Sequence, residues 1–167
     1  MIVTSIESFK EEWKAESDKT RKIFAALTDE SLNQSVADDH RTIGRMAWHI
    51  VQCISEMGCR TGLEVKGPDE KAPVPNSAET IQQEYNRSAQ SLLDQLENWK
   101  DDDLHVEDDM YGQQWKRGMT LNIILKHELH HRAQMTVLMR QAGLKVPGIY
   151  GPSKDEWGQY NAPPPEV

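Results

Sequence analysis

The amino-acid sequence predicts an all-α protein, a four-helix bundle that ends in an irregular C-terminal tail. Apolar residues recur at helical spacing in four segments of roughly twenty residues each. Segments rich in proline, glycine and charged residues separate them, and no segment shows a convincing strand pattern. Because no sheet is predicted, the four amphipathic helices can bury their apolar stripes only against one another. The 167 residues therefore form one predicted domain, 1–167, which is long enough for a real core.

The first predicted helix begins after Ser5, a residue type that caps helix N-termini. Its stripe follows a 3-4 spacing and consists of Ile6, Phe9, Trp13, Glu16, Thr20, Ile23 and Leu27. Two polar residues, Glu16 and Thr20, interrupt this stripe at its middle. We interpret these two residues as a place where the stripe drifts away from the core. The alternative is that they form a polar pocket inside the bundle.

The second helix is predicted from Thr42 to Thr61. Its inward face consists of Ile43, Met46, Ala47, Ile50, Ile54 and Met57. The segment EVKGPDEKAPVPNS contains three prolines and is interpreted as a crossover loop. Asn76 or Ser77 then caps the third helix. The inward face of that helix consists of Ile81, Tyr85, Leu92, Leu96 and Trp99.

The fourth helix is predicted to begin at Thr120 and to end before Gly143, because glycine accepts the left-handed conformation that often terminates a helix. Its inward face consists of Leu121, Ile124, Leu125, Met135 and Met139. The preceding segment LHVEDDMYGQQW is considered as a short hairpin, but its apolar and polar residues alternate poorly. The tail VPGIYGPSKDEWGQYNAPPPEV is rich in proline and glycine and is expected to be irregular.

Composition and charge argue against several kinds of partner. The sequence has a net charge of −8 and no cluster of Lys and Arg that could neutralise phosphates, so nucleic acid is not expected as a partner. No apolar run approaches the roughly 20 residues of a membrane helix, and the N-terminal segment lacks the pattern of a signal peptide. Cys53 and Cys59 lie about 240° apart on one predicted helix, so they cannot pair. Free thiols fit a reducing cytoplasm, which is the expected compartment.

Histidines provide the strongest indication of a site. His127 and His131 lie four residues apart in the segment KHELHHRAQ, so both imidazoles share one helix face and can bind one metal ion. They fall on the shoulder of the inward face of helix four, and His49 has the same position on helix two. A lone histidine such as His49 is more often an interior residue than a ligand. Surface positions are expected for His40, His105 and His130, with a role supporting a ligand as the alternative for His130.

The same segment contains a His-Glu-x-x-His motif, in which zinc peptidases use the glutamate as general base. Glu128 is therefore a candidate catalytic base, and Glu156 is a formal candidate for a third ligand. A peptidase is not favoured, because no sheet is predicted to hold a peptide. A di-iron site needs a second Glu-x-x-His pair, which we do not find. Glu128 is retained as a candidate base or as a residue that holds a ligand in place.

The segment RTIGRMAWHIVQC and the later segment LKHELHHRAQMTVLMRQAGLKVPGIYGP together resemble the DinB/YfiT superfamily. The resemblance covers nearly the whole chain, and Ala133 stands where the family usually has glycine. It implies an up-down-down-up four-helix bundle, commonly a homodimer. It also implies a histidine triad that holds a divalent Zn, Ni or Fe ion, and by position the triad is His49, His127 and His131. Relatives include thiol S-transferases that use bacillithiol or mycothiol, and a mycothiol-dependent maleylpyruvate isomerase.

Three neutral imidazoles leave a +2 ion with an open position, which favours bound thiolate or lowers the pKa of bound water. The resemblance favours the thiol, so we expect a metal-dependent transferase that activates a low-molecular-weight thiol and acts on a small molecule. A metal-dependent hydrolase and a bundle that binds metal or a small ligand without turnover are the alternatives.

Residues around the predicted triad have more than one interpretation. We interpret Cys53 as a buried small residue, with a sulfur ligand as the alternative. Glu56 is interpreted as a solvated charge, with hydrogen bonding to a ligand as the alternative. Ordinary packing or loop structure is favoured for four further residues, which are also candidates to line the pocket mouth: Tyr111, Trp115, Arg117 and Tyr150.

Overall fold

The computed structural model describes residues 3–166 and confirms the predicted four-helix bundle. Its helices are α1 (Ile6–Ala25), α2 (Ile43–Arg60), α3 (Ala78–Leu96) and α4 (Arg117–Gln141). A hairpin of β1 (Glu107–Met110) and β2 (Gln113–Lys116) precedes α4, and short 3-10 helices span Glu30–Asn33, Asp101–His105 and Lys154–Tyr160. None of the described helices is long and apolar enough to cross a membrane. The homodimer implied by the resemblance stays a prediction.

Helix directions follow the up-down-down-up order. Helices α1 and α2 each pack against both α3 and α4. Contacts between helix ends fix the directions: Lys10 with Glu97, Val3 with Gly118, and Gly62 with Arg117. The start of α1 therefore meets the end of α3 and the start of α4, whereas the end of α2 meets the start of α4. This arrangement sets α2 antiparallel to α4, which is the pair of helices that carries the histidines.

Side-chain caps define three of the helix starts. Ser5, Thr42 and Ser77 each accept a hydrogen bond from a backbone N–H in the first turn of the following helix. Gly143 has a φ of 76° just after α4, as predicted. The predicted start of α4 at Thr120 is wrong, because strand β2 leads directly into the helix at Arg117.

The hairpin forms despite its poor alternation. Tyr111 and Gly112 have φ values of 61° and 82°, and such a pair of positive values is typical of a tight two-residue turn. Within its strands only Met110 is buried, at 0% exposure, so the sequence has little reason to alternate. Met110 anchors the hairpin on the bundle.

The interior of the bundle contains polar groups as well as an apolar core. Glu16 and Thr20 are 5% and 0% exposed, so the interpretation of a stripe that drifts off the core is wrong and the mid-bundle polar pocket is correct. Arg132 Nη2 donates to Glu16 Oε2 at 2.6 Å, and Arg132 Nη1 donates to Thr20 Oγ1 at 3.1 Å. Thr20 Oγ1 and Tyr85 Oη donate to Glu128 Oε1 at 2.7 and 2.8 Å. Spacing in α1 could not reveal that α4 supplies these partners.

The crossover loop packs tightly on α2 and α3 at Gly67. A Cβ atom there would lie 2.3 Å from Ser55 Oγ and 2.9 Å from Ser88 Oγ.

We expect Gly67→Ala to lower the free energy of unfolding by about 1–3 kcal/mol through overpacking, measured by urea denaturation. Gly151→Ala is the matched control, because Gly151 also precedes a proline and its Cβ would meet nothing within 4 Å. Equal midpoints for the two variants would contradict the close approach.

Candidate metal centre

Three histidine side chains converge between α2 and α4. One ring nitrogen from each of His49, His127 and His131 lies within 4.8 Å of the others. The ring centroid of His49 is 4.9 Å from that of each partner, and the centroids of His127 and His131 are 4.4 Å apart. The predicted convergence of these three residues is therefore confirmed.

The spacing of the ring nitrogens fits the ligand set of a single ion. His127 Nε2 and His131 Nε2 are 3.1 Å apart. Two nitrogens about 2.05 Å from a tetrahedral zinc ion would lie about 3.3 Å apart. From the opposite, antiparallel helix, His49 brings one ring nitrogen to within 4.8 Å of the nitrogens of His127 and His131. The donor set therefore fits a transition-metal ion bound by three imidazoles.

Gln134 sets the tautomer of His131, a role that the sequence reasoning missed. Its Oε1 lies 2.8 Å from His131 Nδ1. Because an amide oxygen only accepts hydrogen bonds, Nδ1 carries the proton and Nε2 keeps its lone pair for a ligand bond. The signal in the sequence was the three-residue spacing between His131 and Gln134, which places both on one helix face.

The triad is neutral at physiological pH. Burial, together with the positive charge of Arg41, lowers the pKa of His49 to about 3. Burial, together with the neighbouring His131 and His130 and the charge of Arg41, lowers the pKa of His127 to about 4. Burial also lowers the pKa of His131, where Arg41 again contributes. Neutral imidazoles are the form that binds metal ions.

An open cavity of about 530 Å³ lies beside His49 and His127. The hairpin contributes Tyr111 and Trp115 to its lining, and α2 contributes residues that include Cys53. Two of the four candidates for the pocket mouth are therefore in place. The other two are absent from the lining of this cavity.

Those two residues have partners elsewhere. Arg117 donates to Asp108 Oδ2 at 2.9 Å and lies over the Trp99 ring. Tyr150 is 69% exposed, and its hydroxyl reaches the polar groups of the bundle by donating to Glu16 Oε2 at 2.7 Å.

A cluster of three side chains, Glu56, Arg60 and Tyr111, fastens the hairpin to α2. Tyr111 Oη donates to Glu56 Oε2 at 2.6 Å, and Arg60 Nε also donates to this carboxylate. The Arg60 guanidinium lies 4.6 Å from the centroid of the Tyr111 ring. Glu56 is therefore paired rather than simply solvated, which corrects the favoured interpretation.

Cys53 lies against the His49 ring, with Sγ 3.5 Å from Nδ1. Burial raises the pKa of this thiol to about 12, so it is protonated at neutral pH. Both Cys53 and Cys59 are free thiols, as predicted.

The carboxylate of Glu128 points into the polar interior of the bundle. It accepts from Thr20 and Tyr85, on α1 and α3, while its Oε2 has no hydrogen-bond partner in the described part of the chain. Burial raises the pKa of Glu128. It does not belong to the group of converging ligand atoms. Glu156, the formal third ligand of a peptidase, instead accepts from the backbone N–H groups of Gly148 and Ser153.

The remaining histidines lie outside the converging group. The His130 ring centroid is 5.0 Å from that of His131, and His130 is exposed. His40 pairs with Asp39 at the surface, and His105 is exposed at the end of a 3-10 helix.

The chain is similar in sequence and in fold to known Bacillus proteins. The chain is 41% identical over 164 residues to the Uncharacterized protein YrdA of Bacillus subtilis (strain 168), and the match covers 98% of each chain. A crystal structure of a DinB-like protein from Bacillus cereus ATCC 10987 is 43% identical with a TM-score of 0.85, covering 88% of this chain and 99% of that one. The DinB-like protein YjoA of Bacillus subtilis shares the fold at 15% identity, with a TM-score of 0.69 and coverage of 85% and 96%.

The family model of the DinB family matches residues 1–164, almost the whole chain. The bundle, the three histidines on α2 and α4, and this match agree with one another. The chain belongs to the DinB family.

Proposed function

We propose that the protein binds one divalent metal ion through His49, His127 and His131 and acts as a metal-dependent thiol S-transferase. The observation that carries this proposal is the convergence of three neutral imidazoles beside an open cavity. Such an ion, when bound, supplies a positive charge that favours the thiolate form of a low-molecular-weight thiol. Imidazole ligands suit Zn, Ni and Fe, so the donor set does not select among these metals.

The protein's own residues bind and orient the reactants. Gln134 holds His131 in the tautomer that binds an ion, and Trp115 and Tyr111 offer aromatic surface to an apolar substrate. In the reaction the thiol loses its proton to solvent, and sulfur forms a bond to the electrophilic carbon. The leaving group departs with the electron pair of the bond that breaks.

Thiol transfer is favoured over hydrolysis at the same site. A hydrolase of the His-Glu-x-x-His type needs a carboxylate beside the attacking water. Glu128 instead hydrogen bonds with Thr20 and Tyr85 in the polar interior. Binding of a metal or a small ligand without turnover is the remaining alternative, and the turnover assay below distinguishes it.

Removal of any one ligand should abolish stoichiometric metal binding. We expect His49→Ala, His127→Ala and His131→Ala to lose the ion in elemental analysis of purified protein. His130→Ala is the matched control and should retain the ion, because the ring of His130 is outside the converging group. Gln134→Ala removes the residue that fixes the tautomer of His131, and it should weaken metal affinity by about 10–100-fold. Stoichiometric metal in all three triad variants would refute the site.

Metal affinity should depend weakly on pH down to mildly acidic values. Protons compete with metal only near or below the pKa of each imidazole, and these pKa values are lowered, to about 3 for His49 and about 4 for His127. We therefore expect a fall of less than about ten-fold in zinc affinity between pH 7.5 and 5.5, measured by calorimetry. Three histidines with ordinary pKa values would give a fall approaching about a thousand-fold, which would contradict the buried neutral triad.

Thiol-dependent turnover should require the triad. We expect metal-loaded protein to accelerate the reaction of thiols with monochlorobimane, in which the new S–C bond replaces the C–Cl bond and chloride leaves. Metal-free protein and His131→Ala should fall to the uncatalysed rate, whereas His130→Ala should retain activity. Fluorescence measures the product. Fully metal-loaded protein that shows no turnover with a panel of thiols and electrophiles would refute the thiol S-transferase.

A further inference from the structure

We propose that Arg45 is the carboxylate-binding residue of the cavity beside the triad. The ligand that it selects is a small molecule that carries a single carboxylate together with an apolar body. This inference rests on the proposed function, since it names the chemical class of one of the two reactants.

Arg45 lies one helical turn before His49 and lines the same cavity. Residues four apart on a helix have Cβ atoms about 5–6 Å from each other. A ligand held at Arg45 therefore reaches the histidines with a chain of only a few atoms.

The guanidinium of Arg45 is held in place by a neutral partner. Arg45 Nη2 donates to Gln52 Oε1 at 3.1 Å. Gln52 is 3% exposed, and its Nε2 donates to the carbonyl oxygens of Asp69 and Glu70 at 2.8 and 2.9 Å. The crossover loop thus fixes Gln52, and Gln52 orients Arg45 without neutralising its charge.

Arg45 is the cation of this cavity that lacks a carboxylate partner among the described residues. Arg60, the other arginine in the lining, is paired with Glu56. Glu70 also lines the cavity, but no ion pair within 4.0 Å joins it to Arg45 in the part of the chain that the structure describes. A fixed, half-buried guanidinium without a counter-ion matches the two oxygens of a carboxylate.

The rest of the lining narrows the ligand class. Met57, Ile123 and the ring of Trp115 offer apolar surface. Arg60 offsets the charge of Glu56, and Glu70 adds a further negative charge, which disfavours a dianion such as a phosphate monoester. A monocarboxylate with an apolar or aromatic body fits both features. The carboxylate belongs to either the thiol or the electrophile.

Two pairs of acid and amide probes test the assignment by calorimetry. The first pair is 6-mercaptohexanoate and 6-mercaptohexanamide, added to the zinc-loaded protein. The second pair is 4-phenylbutyrate and 4-phenylbutanamide, added to the metal-free protein. We expect the wild-type protein to prefer each acid by about ten-fold or more, as a hydrogen-bonded charge pair gives. Arg45→Met should remove this preference, and Arg45→Lys should restore part of it.

Arg41→Met is the matched control. It removes the same charge near the triad, but Arg41 does not line the cavity. We expect its acid preference to stay within about three-fold of the wild-type value, because long-range charge acts weakly through solvent. Equal losses in Arg41→Met and Arg45→Met would overturn the assignment in favour of general electrostatics. No preference for either acid in the wild-type protein would overturn it directly.

Two further measurements separate this inference from the proposed function and identify the reactant. The visible spectrum of the Co²⁺-loaded protein reports whether a thiol reaches the metal. No spectral change with any thiol refutes thiol activation, whereas the metal-free phenyl pair still tests Arg45. If the protein turns over, KM is compared between Arg45→Met and the wild-type protein. A KM that is increased for an acidic thiol places the carboxylate on the thiol. An increased KM for 4-(bromomethyl)benzoate, relative to its methyl ester, places it on the electrophile. An unchanged KM for both acids would overturn the assignment.

Discussion

The buried ion pair between Glu16 and Arg132 constrains the whole bundle. An unpaired charge inside a protein costs several kcal/mol, so α4 must present Arg132 to α1. Although burial raises the pKa of Glu16, hydrogen bonds from Lys19, Tyr150 and Arg132 lower it below its usual value. Tyr150 also ties the segment after α4 to this pair. The rotation of α4 about its axis is thus fixed by charge pairing as well as by apolar packing.

This rotation aims the histidines. Glu128 and Arg132 each follow a histidine of α4, at His127 and His131, and successive residues lie about 100° apart around a helix. With Glu128 and Arg132 turned towards α1 and α3, the two histidines turn towards α2, where His49 lies. The polar interior therefore positions the candidate metal ligands, although none of its own residues belongs to the converging group. Glu128 in the His-Glu-x-x-His motif thus bonds with α1 and α3 instead of lying beside the triad, where a peptidase base would lie.

Periodicity in the sequence was sufficient for the helices and for the histidine pair, because both depend on spacing within a single helix. The bounds of α2 and the cap at Ser77 were predictable for the same reason. Features that depend on a partner from elsewhere in the chain were not. The burial of Glu16 requires Arg132, 116 residues later. The hairpin depends on a tight turn, and its strands are too exposed to show an alternating pattern. Because strand β2 leads directly into α4, the helix begins before the predicted residue.

One face of α2 carries the chemistry of the cavity. Arg45, His49 and Cys53 follow at intervals of four residues, and Glu56 and Arg60 continue the same face. The first half of this face bears Arg45, which has no carboxylate partner among residues 3–166, and the neutral candidate ligand His49. Its second half is neutralised by the pairing of Glu56 with Arg60 and is covered by the hairpin. In a chain with a net charge of −8, Arg45 places a positive charge where the cavity meets the triad, and the proposed carboxylate ligand would lie along the helix with its carboxylate towards the start of α2.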